Sequence, residues 1–194
     1  MTEAGVGDRV PPGQVVTEKF PVLHTGEVPR YRDDLSDWTF RVFGEVERPV
    51  TLSWEAFRRL PTREVVVDIH CVTRWSKLGT RWRGVPAARV LEEAGVRPEA
   101  RFVLVHADPD YTTNIPLADL YRDDVLLAFE FDGKPLTPEH GYPVRLLVPH
   151  RYFWKSAKWV RGFELLRQDR PGFWEERGYH NEADPWKEQR YGLF

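Results

Sequence analysis

Short strand-like runs recur along this chain, and no helical pattern of comparable weight separates them. That feature limits the fold more than any other. Residues 38–47, "WTFRVFGEVE", alternate apolar and polar side chains with a period of two, as a half-buried strand does. Residues 64–70, "EVVVDIH", place contiguous β-branched valines together and predict a buried strand. Further strands are expected over 101–107, 111–115, 125–131, 136 onward, 143–149 and 162–167, with Asp132-Gly133 as a tight turn. Helices are few. Ser53 is an N-cap for "WEAFRRL", and "PAARVLEEA" (86–94) opens on Pro and is followed by Gly95. Strands and helices do not alternate as βαβ units, so the expected class is a compact, β-rich α+β fold. The 194 residues suit a single domain, 1–194, in which the polar segments 1–20 and 170–194 wrap the surface.

One cysteine, Cys71, rules out an internal disulfide and any Cys-rich zinc or iron–sulfur site. No apolar run is long enough to span a bilayer, and the first residues read as no export signal. A cytoplasmic protein is the expectation. The net charge is −2, but cations are unevenly spread. Residues 69–91 contain no acid yet carry Arg74, Lys77, Arg81, Arg83 and Arg89. Residues 141–163 likewise carry Arg145, Arg151, Lys155, Lys158 and Arg161. Two such windows point either to an anionic ligand or to two solvated basic faces. The overall charge and the acidic C-terminal tail argue against nucleic acid as partner, and there is no P-loop or G-x-G-x-x-G.

Cys71 falls where the valine strand ends, a frequent address for site residues. It has three readings: a small buried hydrophobe, a nucleophile, or a soft metal ligand. A nucleophile needs a base. His70 is adjacent, but successive residues of an extended chain face opposite ways. His106, His140 or His150 would have to approach through the fold.

The segment "DIHCVTRWSKLGTRWRGVPAARVL" (68–91) resembles the cysteine segment of the sulfite-oxidase-type molybdopterin-dependent oxidoreductases. "HGYPVRLLVPHRYFWKSAKWVRGFEL" (140–165) is similar to that family's second signature, a Gly-x-Pro-x-Arg strand, a basic loop and Ser-x-Lys-Trp. "HADPDYTTNIPL" (106–117), "FPVLHTGEVP" (20–29) and "GFWEERGYHNEADPW" (172–186) fit the same family, most closely its short single-domain bacterial branch. The resemblance implies the family's β-rich molybdopterin-binding fold and a mononuclear molybdenum bound by one pterin and by the Cys71 thiolate. It implies pterin contacts from Arg145, Ser156, Ala157 and Lys158, from His140, from His24 and Thr25, and from His106 and Ala107, with Asp108 as a weaker candidate. Tyr111 matches a tyrosine facing the metal's oxo group. Arg74 and Lys155, joined by Arg151, match cations that hold an oxyanion. At 155 this chain carries Lys where sulfite oxidases carry Arg, a point charge in place of a bidentate fork. The implied activity is two-electron oxygen-atom transfer to or from a small S-oxide or sulfite-like substrate. An external electron carrier (a haem protein, a flavoprotein or a quinone-linked one) would serve it. The rivals are a pterin-binding protein without turnover and a cytosolic thiol enzyme using Cys71.

Overall fold

In a computed structural model that describes residues 6–192, the alternation over residues 38–47 translates into packing. Strand β1 is Val15–Val16 and β2 is Thr39–Gly44; in β2, Phe40 and Val42 are fully buried while Arg41 faces solvent. β3 (Val50–Ser53) leads into α1 (Trp54–Arg58), and Ser53 caps it by accepting from the Ala56 N–H at 3.2 Å. α1 presses Phe57 onto Trp38, ring centres 5.2 Å apart. β4 (Arg63–His70) and β5 (Trp75–Pro86) form a long antiparallel hairpin whose connection holds Cys71. α2 (Ala87–Ala94) buries Val90 and Leu91. Then follow β6 (Phe102–Ala107), β7 (Tyr111–Pro116), β8 (Leu126–Phe131), β9 (Lys134–Pro135), β10 (Arg145–Leu147) and β11 (Val160–Leu166).

The strands form two sheets. One runs β1-β5-β8-β10, with β4 paired to β5 and β9 to β8. The other runs β3-β2-β11-β6-β7. Only β1–β5 and β11–β2 are parallel pairs among the described residues, so both sheets are mixed. The larger core packs the second sheet and both helices against Val85, Leu127 and Leu146 of the first. The opposite face of the first sheet is covered too: Ile69, Trp82, Leu126 and Leu147 form a second core with Phe153. A third, small cluster joins Cys71 and Val72 to Tyr152, Trp154 and Ala183. A cavity lies where these last two clusters meet.

Two expectations change. The valine strand is an edge strand, not a buried one. β4 pairs on one side only, and Val66 is 62% exposed. Contiguous valines satisfy strand sterics without requiring two covered faces. The strand expected from 136 onward is only β9, because Pro138 opens a 3₁₀ turn (Pro138–His140) after Leu136 makes its last ladder bond to Phe129. Described parts of the polar segments 1–20 and 170–194 bond to strands of the two sheets. β1 pairs with β5, and the Phe173 N–H donates to Thr112 O. Residues 1–5 and 193–194 of those segments lie outside the described residues.

Candidate active site

β4 stops at His70, and the chain turns back at once. The Arg74 N–H donates to Cys71 O (3.0 Å), and the Cys71 N–H donates to Trp75 O (2.9 Å). Arg74 takes φ 74° to complete the reversal. This puts the Cys71 side chain on the wall of a cavity of about 310 Å³. Its sulfur lies 3.1 Å from Thr73 Oγ1. Burial pushes the thiol upward, opposed by the Thr73 contact and by the charge of Arg190.

Arg145 enters the same cavity from β10. It is 1% exposed. Its Nη1 donates to His140 O (3.0 Å) and its Nη2 to Ser156 O (2.8 Å), while Nε has no partner. No carboxylate pairs with it among the described residues. Aromatic faces surround it, with the Phe153 ring centre 4.3 Å from the guanidinium carbon. Burial lowers its pKa to about 9. A buried cation with a free donor and no acid is costly unless an anion completes it. Gly141 permits the approach: with φ 111°, a Cβ there would stand 2.9 Å from Arg145 Cβ.

The loop after β10 closes the cradle. Ser156 Oγ accepts from the Val148 N–H, and Ala157 O accepts from the Leu146 N–H, so this loop is tied to β10 on both sides. Lys158 reaches the cavity and donates to Leu23 O (2.7 Å) and Glu139 O (2.6 Å). Burial first, and then Arg145, bring its pKa down to about 7. His24 and Thr25 line the mouth; His24 Nδ1 lies 3.1 Å from Gly26 O. Tyr111 also lines the cavity, and its hydroxyl donates to Trp154 O at 2.7 Å. His140 stands behind the wall, stacked 4.1 Å from Phe20 and bonded through Nε2 to Phe20 O. Trp75 contributes a second orphan donor, its buried Nε1.

Several residues singled out in the sequence go elsewhere. Lys155 is 1% exposed and does not line the cavity; its Nζ binds Asn114 O, Asn114 Oδ1 and, at 2.6 Å, Glu175 Oε1. Its charge is committed to that buried pair. Arg74 is exposed, its guanidinium beside Gly13 and off the wall. Arg151 pairs with Asp119 (2.8 Å) and with Glu182 O. His106 faces Glu164 (2.8 Å) outside the cavity, and Ala107 is part of the main core. Asp108 accepts from Tyr31 and Arg161, both at 2.9 Å. Sequence reasoning missed the aromatic wall, to which the tail adds Trp174 and Tyr179. The only local signal for it is Gly172, where a Cβ would stand 2.5 Å from Thr113 Cα, so the tail can lie directly on β7.

The cavity therefore has a lone sulfur on its wall, a buried cation cradle built on Arg145 and Lys158, and aromatic sides. A ligand with a flat body and an anionic tail fits those donors: Arg145 Nε and Trp75 Nε1 are unmet without one.

Residues 25–174 match the oxidoreductase molybdopterin binding domain family. The uncharacterized oxidoreductase YuiH of Bacillus subtilis is 51% identical over 183 residues, 94% of this chain and 92% of that protein. The catalytic subunit of protein-methionine-sulfoxide reductase, MsrP, of Campylobacter jejuni is 31% identical over 77% of this chain and 57% of its own length. The chain spans 64% of a putative protein-methionine-sulfoxide reductase subunit of Azospira oryzae, at 26% identity. Among solved structures, the sulfane dehydrogenase SoxCD of Paracoccus pantotrophus superposes with a TM-score of 0.63 at 27% identity, covering 69% of this chain and 39% of that one. With the lone thiol, the unmet cationic cradle and this fold in one molecule, the chain belongs to the oxidoreductase molybdopterin binding domain family and is a molybdenum- and molybdopterin-dependent oxidoreductase of the sulfite-oxidase type.

Proposed function

We propose that this enzyme performs two-electron oxygen-atom transfer on a small, uncharged sulfur compound, with reduction of a thioether S-oxide as the working direction. When bound, the molybdenum cofactor supplies the site at which an oxygen atom and two electrons are exchanged. The protein's part is to hold and shape. Cys71 would ligate the metal, and Arg145, Lys158 and the backbone around Ser156 would hold the cofactor's phosphate. Phe20, Trp75, Trp154, Trp174 and Tyr179 exclude water around the substrate. Tyr111 stays protonated, because burial and nearby Glu175 both raise its pKa. Its hydrogen is held by Trp154 O, so the phenol oxygen offers lone pairs to the cavity unless that bond opens.

One observation carries the reading: Cys71 and the unpaired Arg145 share a single cavity. A second supports an uncharged substrate. The cations expected to hold an oxyanion, Arg74, Arg151 and Lys155, do not line that cavity, and two of them are already paired to acids. An uncharged S-oxide needs no counter-ion, whereas sulfite does. Two relatives are named for methionine-sulfoxide reduction, which is the same chemistry. Both are also named as subunits, which supports electron delivery by a separate carrier protein.

The test is metal and pterin content of protein made in a pterin-competent host, followed by turnover with a dye donor. Wild type should carry molybdenum and reduce neutral S-oxides faster than it oxidises sulfite. Cys71→Ser should lose turnover while keeping its circular-dichroism spectrum and melting cooperatively. Full turnover in Cys71→Ser would remove the sulfur from the mechanism, and preferential sulfite oxidation would reverse the charge argument.

A further inference from the structure

The turn that presents Cys71 is gripped by side chains from both ends of the chain, each outside the family match. Gln14 Nε2 donates to Cys71 O (3.1 Å), Trp75 O (2.9 Å) and Ser76 Oγ (3.2 Å). Arg190 Nη1 donates to Val72 O (2.8 Å). The two clamping residues also hold each other, Arg190 Nη2 donating to Gln14 Oε1 at 2.9 Å. Arg190 is 5% exposed, although it comes from the last described residues. Its guanidinium carbon stands 4.9 Å from the Tyr152 ring centre, and its Nη2 also reaches Pro12 O and Gly13 O. Its nearest acid, Glu188, is 3.7 Å away and half exposed. A buried guanidinium with so loose an ion partner is held by carbonyls, and one of these belongs to the residue directly after Cys71.

These bonds have a directional consequence. The Cys71, Val72 and Trp75 carbonyls all accept from the clamp, and the Cys71 and Trp75 carbonyls also close the turn's own backbone bonds. Fixing the peptides on both sides of the turn fixes the Cα–Cβ vector of Cys71, and with it the approach of the sulfur to anything bound in the cavity. Thr73 has the complementary place on the cavity side, 3.1 Å from the sulfur.

We propose that Gln14 and Arg190 are positioning residues. Linked across the two chain ends, they lock the 71–75 turn and set the direction in which Cys71 presents its sulfur to the metal. Its catalytic consequence rests on the reading of Cys71 as a metal ligand, while the locking of the turn does not. Outer groups that orient a ligand tune a metal centre, and losing one typically costs about 10–100-fold in metal affinity or activity.

The experiment uses Gln14→Leu, Arg190→Met and Arg190→Lys, with Arg122→Met as a remote surface control. In cofactor-free protein, amide hydrogen exchange reads the Cys71 N–H, which is protected by Trp75 O. Gln14→Leu and Arg190→Met should each speed exchange at 71–75 by about tenfold, the equivalent of one or two lost hydrogen bonds, with β8 and β11 unchanged. Arg190→Lys should recover part of the protection, since an ammonium can meet one carbonyl but not span the fork. In loaded protein, the Mo(V) electron paramagnetic resonance signal of the first two variants should change shape. Exchange at the turn equal to wild type would overturn the clamp. So would acceleration spread evenly over the chain, which marks simple loss of stability. A locally loosened turn with an unaltered Mo(V) signal would overturn the positioning of the ligand. If wild type binds no molybdenum in a competent host, the functional reading fails and the clamp stands or falls on exchange alone.

Discussion

Arg145 concentrates the physics of this site in one side chain. A guanidinium at 1% exposure with no carboxylate strains the cofactor-free protein, and its burial cost is met only when an anion arrives. Stability and function should therefore move in opposite directions. We expect Arg145→Met to raise the unfolding free energy of the cofactor-free protein by on the order of 1 kcal/mol while cutting cofactor retention by tenfold or more. Parallel thermal melts and pterin content check this, and a variant that loses both together contradicts it. Lys158 gives a pH counterpart. Its folded pKa of about 7 lies below its ordinary value of 10.5, so between those limits the unfolded chain binds more protons. The destabilisation from burying the charge is full below about pH 7 and fades as pH rises towards 10.5. Cofactor-free wild type should gain stability relative to Lys158→Met across that window; denaturant titrations at pH 6.5 and 9.5 measure it, and a parallel pair of curves refutes it. Both residues were legible in the sequence through the Gly-x-Pro-x-Arg and Ser-x-Lys pattern. What could not be read was which cations remain unpaired. Lys155 looks as available as Lys158 in one dimension, yet its acid sits 20 residues on, at Glu175.

At the scale of elements, that Lys155–Glu175 pair joins the loop after β10, strand β7 and the C-terminal segment. Glu175 Oε1 accepts from Lys155, from Trp154 Nε1 (2.8 Å) and from Thr113 Oγ1 (3.0 Å), and both charged side chains are at most 2% exposed. Trp174 and Tyr179 flank this anchor and form cavity wall, so the pair holds the wall in place. Breaking it leaves one buried charge unmatched, at a cost of about 3–5 kcal/mol. Lys155→Met and Glu175→Gln should each lower stability by that order, and the double variant should recover part of the loss. A double-mutant cycle with no coupling would show the pair to be inert. Strand identity was largely legible, because period-two alternation and β-branched runs record local sterics. Burial was less so. "EVVVD" states that β4 is a strand but not that it is an edge, since pairing partners are set by the whole sheet.

Across the whole molecule, the two acid-free windows show how far one-dimensional charge can mislead. Half of their ten cations are matched by acids from other segments: Arg81 with Glu64, Arg83 with Glu130, Arg151 with Asp119, Arg161 with Asp108 and Lys155 with Glu175. The windows are therefore not one large anion site. Arg145, together with Lys158, is the cationic remainder that faces the cavity. The acids, like the aromatic wall, come from every part of the chain, so the site is completed only when the last segment docks. A chain ending at Gln168 would strip Trp174 and Tyr179 from the cavity and leave the Lys155 charge without Glu175. It would keep every strand of both sheets. If the segment after 168 were only a wrapping, such a chain would melt near wild type and still take up cofactor. Because it supplies both a buried counter-charge and a wall, the shortened chain should unfold well below wild type and retain no molybdenum. Calorimetry and metal analysis on the same preparation decide between the two, and wild-type values in both would reduce the tail to a covering.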